Sequence, residues 1–84
     1  MIVRMCEMVA RAEAHDDLVR WVCDAALPDF DGDVAHVRSE VFASADHRVV
    51  VISHWRSAPR SLPDPPPLFV TRPPHCWDFS PVDR

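Results

Sequence analysis

Eighty-four residues make one domain with a single small core. A chain of this length buries only about 60–65% of the surface it exposes unfolded, so self-association is the expected extra source of stability. A net charge of −4, with nine scattered arginines and no lysine, argues against a nucleic-acid surface, and no stretch approaches the ~20 apolar residues of a membrane span.

Met1 to Ala10 carries Arg4 and Glu7 and leads into an acidic helix, which does not suit a signal peptide. Residues 2–10 are apolar on both alternating faces: Ile2, Cys6, Met8 and Ala10 on one, Val3, Met5 and Val9 on the other. Such a strand is expected in the sheet interior, covered on both sides. Residues 13–27 switch to helical period, with Ala14, Leu18, Trp21, Val22 and Ala25 on one stripe and Glu13, Asp16, Asp17, Arg20 and Asp24 opposite. Pro28 restricts Leu27 and is expected to end the helix.

Pro28 to Asp33 reads as an acidic turn around the only glycine, Gly32. Residues 34–43 suit a second strand of mixed polarity. Residues 48–55 suit a third, with Val49, Val50, Val51 and Ile52 consecutive and β-branched; Ser44–His47 would close a hairpin between the two. Between Pro59 and Pro74 seven prolines forbid any long helix, so 56–74 is expected as a Pro-rich connector. A last strand around His75–Ser80 places His75, Trp77 and Phe79 on one face. The sum is an α+β, ferredoxin-like βαββ(α)β antiparallel sheet in order 4-1-3-2, a single domain over 1–84, with its second helix reduced or replaced.

Cys6, Cys23 and Cys76 are odd in number, far apart and without a CxxC pair, which suggests three small buried hydrophobes in a cytoplasmic protein.

The order of elements, the turn Asp31-Gly32-Asp33, the run Ser39-Glu40-Val41-Phe42, strand 3 ending in Trp55 and the final Asp78-Phe79-Ser80-Pro81-Val82 resemble the antibiotic biosynthesis monooxygenase family. The resemblance spans nearly the whole chain on loose motifs. It implies a homodimeric α+β barrel whose sheets pack face to face. It also implies a pocket between sheet and helices for a flat aromatic or polyketide-like substrate, oxidised by O₂ without metal or flavin. A related branch degrades haem, and similar barrels act as polyketide cyclases. Trp55 stands at the family's tryptophan position. The chain departs from the family in having neither Asn nor Tyr, and it has no histidine between His54 and His75, where the haem-degrading branch places one.

Pairing Ser44 with Arg48 sets Phe42 against Val50, Glu40 against Ile52 and Arg38 against His54. His36, Arg38, Glu40 and His54 would then share one face, with direct neighbours ~5 Å apart and diagonals ~7 Å apart. Such a patch could hold a phenolate, with His54 as base, Arg38 steadying the anion and Trp55 lining the pocket; it could equally be the polar part of an interface. Arg72 and His75 would close the mouth, and Trp77 would line the pocket or an interface. Two His and one Glu also raise the alternative of a His-based metal dimer, although no close-spaced ligand motif supports one. The expectation is therefore a small pathway enzyme without a bound cofactor, or a non-enzymatic dimeric binding or accessory protein using the Pro-rich segment and Trp77.

Overall fold

The structure, a computed structural model, describes residues 1–84. Four strands, β1 (Ile2–Val9), β2 (His36–Ala43), β3 (Arg48–Trp55) and β4 (His75–Phe79), form one antiparallel sheet in the order β2-β3-β1-β4. This is the expected 4-1-3-2 order. The two strands richest in apolar residues, β1 and β3, occupy its centre. No helix is long and apolar enough to cross a membrane.

Helical backbone runs without a break from Ala12 to Phe30, as a 3-10 turn (Ala12–Ala14), α1 (His15–Trp21), a π turn (Val22–Ala26) and a second 3-10 turn (Leu27–Phe30). Its buried residues are Ala14, Leu18, Val22, Ala26 and Phe30, each four residues after the last. In a regular α-helix a step of four over-rotates by about 40°, so such a stripe would wind off the core. The wider π turn, closed by the Leu27 N–H donating to the Val22 carbonyl, takes up part of that rotation. It brings Ala26 to the core and leaves the expected Ala25 exposed. Pro28 does not end the helical path. It sits near the start of the second 3-10 turn, where a missing N–H costs nothing, and the chain continues until Phe30 is buried.

The hairpin closes in the expected register, with the Ser44 N–H donating to the Arg48 carbonyl at 2.9 Å and Phe42, Glu40 and Arg38 opposite Val50, Ile52 and His54. His47 takes the left-handed conformation (φ 69°) that closes the turn; histidine is among the few non-glycine types that visit it.

Residues 56–74 contain no helix and form a strap. Pro65 and Val70 are buried, while Leu62 and Phe69 pack against the core. The strap is tied to the end of β1 by Arg11 N–H to Phe69 O and Thr71 N–H to Val9 O, both 2.9 Å. Arg60 pins its start to Asp29 (3.2 Å) and Asp33 (3.7 Å). A proline-rich segment suits this use, because it covers apolar surface while losing little backbone entropy.

The helix and strap lie over one face of the sheet. That face carries Cys6, Met8, Val49, Val51, Ser53 and Trp55, all buried. The other face carries Val3, Met5, Val50, Ile52, Phe42, Trp77 and Phe79 and has no covering layer; none of these seven is buried. β1 is therefore central but covered on one side only.

The cysteines correct the sequence expectation. Cys6 and Cys76 face each other across β1 and β4 and form a disulfide, and Cys23 is exposed. Seventy residues separate the pair, so only the strand order brings them together.

Candidate functional site

Polar side chains of the open face fall into two clusters. In the first, the imidazole Nε2 of His54 and Glu40 Oε1 share a hydrogen bond of 2.9 Å, and Arg38 Nε lies 3.8 Å from the same oxygen. β-Branched neighbours and strict alternation along β3 hold His54 on this side, with its side chain only 16% exposed. Glu40 thus fixes the imidazole and receives the cation, an arrangement suited to moving a proton or steadying an anion.

The second cluster surrounds Glu7. Its carboxylate accepts from Arg72 Nη2 at 2.7 Å and from Arg48 Nη1 at 2.8 Å. The hydrogen bond to Glu7 is the main reason the Arg48 guanidinium holds its proton more tightly than usual. His75 and Trp77 stack with centroids 4.2 Å apart and planes 10° apart. Arg72 therefore reaches Glu7, and His75 and Trp77 lie on the same open face, as alternation along β4 requires.

His36 does not join them. A bulge between His36 and Arg38 puts Val37 out of register and leaves His36 opposite Trp55. Its ring packs 5.1 Å from the Trp55 indole and 5.4 Å from Phe30, and its Nε2 bonds to Ser39 Oγ at 2.8 Å. The expected four-residue patch is thus a three-residue one. The His36–Glu40–His54 metal set is divided between the two faces, and no other group of three or more His, Cys, Asp or Glu side chains converges on a cation position.

Trp55 is fully buried on the covered face, edge-on to Phe30 at 4.7 Å, and its Nε1–H donates to Ser53 Oγ at 2.9 Å. All its polar capacity is satisfied within the core. His54 and Trp55 are adjacent in sequence and lie on opposite sides of the sheet.

Under the strap, two clefts share Asp64, Pro73 and Pro74. One, of 370 Å³, has Arg11, Thr71 and Arg72 on its walls; the other, of 220 Å³, reaches down to Met8 and the Cys6–Cys76 bond. Neither contains His54, Arg38 or Trp55. The disulfide and its cleft are what sequence reasoning missed. The signal lay in the topology itself: strands 4 and 1 are antiparallel neighbours, and each holds one cysteine.

No protein-family model, curated protein or solved structure matches this chain.

Proposed function

We propose that this chain is a homodimeric binding or accessory protein of a biosynthetic pathway, taking a flat aromatic or polyketide-like small molecule. The observation that carries the proposal is the uncovered sheet face, where seven apolar side chains, three of them aromatic, lie between two ionic clusters. Each guanidinium of those clusters has a carboxylate within 4 Å. The face is thus apolar at its centre and locally neutralised at its margins, which favours a second copy of the same face over an anionic partner. The loose resemblance to antibiotic biosynthesis monooxygenases points the same way. A stable pairing needs an interface of at least ~1,000 Å² in total, within reach of two such sheets.

Native mass spectrometry of the purified protein tests this. A dimer carrying an organic adduct is expected, and a bare monomer at micromolar concentration would overturn the proposal.

A second reading, a cofactor-independent monooxygenase or cyclase, is favoured by one contact, the His54–Glu40 hydrogen bond. In it His54 takes a proton from a phenolic or enolic substrate, Glu40 orients the imidazole and Arg38 steadies the anion. Trp55 takes no part, because no path joins its buried indole to that face. A His54→Ala variant should then lose about 10²–10⁴-fold in kcat while still binding ligand. Unchanged turnover would eliminate this reading and leave the binding reading intact.

A further inference from the structure

We propose that the Cys6–Cys76 disulfide is a thiol-exchange site, opened at Cys76 by a low-molecular-weight thiol that carries no net negative charge. The bond forms part of the wall of the 220 Å³ cleft under the strap, so a small molecule can approach it without unfolding the sheet. The two cysteines it joins are unequally placed. Cys6 is 4% exposed on the central strand β1, whereas Cys76 belongs to β4, whose five residues are all exposed. β4 is also an edge strand paired with β1 alone. Opening the bond therefore loosens the rim of the sheet, and the core cluster of Met8, Leu18, Val22, Val49 and Val51 stays packed. Exposed disulfides are the labile ones, and exchange rates follow which sulfur can be reached.

The charge preference comes from Asp64, the only charged residue on the walls of that cleft. Its carboxylate repels an anionic thiol and favours a cationic one. In the exchange, a thiolate attacks Cys76 Sγ and forms a new S–S bond there. The Cys6–Cys76 bond breaks, its electron pair goes to Cys6 Sγ, and that sulfur takes a proton from water. A second small thiol then attacks the mixed disulfide and leaves as the small-molecule disulfide, with Cys76 protonated. Two electrons pass from two thiols to the protein. Cys6, held opposite Cys76 by the β1–β4 register, can reverse the first step by attacking Cys76 Sγ of the mixed disulfide and expelling the small thiolate.

The test uses the oxidised full chain carrying Cys23→Ser, which removes the exposed third thiol and any shuffling through it. The protein is treated under native conditions with cysteamine, 2-mercaptoethanol or mercaptoacetate, quenched in acid and mapped by mass spectrometry. The mixed disulfide should appear on Cys76. The rate per thiolate should fall several-fold from cysteamine to mercaptoacetate, and Asp64→Asn should flatten that series. An adduct on Cys6 would overturn the proposal. So would reaction only after unfolding in urea, or a charge series that Asp64→Asn leaves unchanged.

Discussion

The two faces of this sheet are built from the same strands and the same two-residue alternation, yet they end in different states. Along β3, Val49, Val51, Ser53 and Trp55 are buried, while Val50, Ile52 and His54 between them are only partly covered. The difference lies not in residue type, since Ile52 is as apolar as Val51, but in what covers each side. A helix whose turn widens at Val22–Ala26 and a proline strap supply the cover on one face; nothing in the chain supplies it on the other. An apolar run in a strand thus reports a demand for burial, which the chain's own helix and strap meet on one face only.

The largest effect is expected at Trp55. Truncation to alanine removes a fully buried indole from its edge contact with Phe30 and leaves Ser53 Oγ without its donor. Trp55→Ala should cost about 3–5 kcal/mol in urea unfolding, a large share of what a domain this small can hold. A loss below about 1 kcal/mol would mean that the indole is not a core residue.

Next comes Ile52, opposite Glu40 and Met5 near the centre of the open face. Ile52→Arg should leave the far-UV circular dichroism spectrum unchanged and convert a dimer to a monomer in size-exclusion chromatography with light scattering. If Ile52→Arg destabilises the chain as much as Trp55→Ala, the two faces are not distinct. A smaller effect is expected from Glu40→Gln, which keeps the shape of the side chain but removes the charge beside His54. The amide holds the ring less firmly than a carboxylate, so the His54 ring signals should move in NMR spectra recorded at one neutral pH. Unmoved ring signals would show that the two side chains are not in contact.

The fold was legible because its signals are local. Apolar residues on both faces of β1, four consecutive β-branched residues in β3 and the Ser44–Arg48 closure fixed both the strand order and the hairpin register. Three features were not legible, each because it depends on one residue's shift or on distant pairing. The bulge at Val37 turns His36 to the covered face, and polarity alone does not announce it. The π turn exchanges Ala25 for Ala26, two identical residues between which composition cannot choose. The disulfide joins residues whose adjacency exists only once β4 docks on β1. The site suffered most, since its four expected members rested on a register that the bulge interrupts.

The smallest effect concerns the rim of the covered face, where β4 is held by an ion pair as well as by sulfur. Arg4 Nε and Nη2 donate to both oxygens of Asp78, at 2.7 and 3.0 Å, directly across the β1–β4 pairing. The hydrogen bond from Arg4 holds the Asp78 carboxyl below its usual value, 3.8. A depressed native value means that the stabilisation is fully present above the unfolded aspartate range and disappears as pH falls through the lower native value. Asp78→Asn should therefore lower the melting temperature slightly at neutral pH, and the gap to the parent protein should close below pH 3.8. The pair is solvated, so the neutral-pH gap should be small and shrink further in high salt. A gap that persists in acid would assign the difference to the geometry of the edge strand rather than to charge. Repeating the melts after reduction of Cys6–Cys76 adds a second axis. With the covalent tie gone, the ion pair carries more of the docking of β4, and the gap at neutral pH should widen.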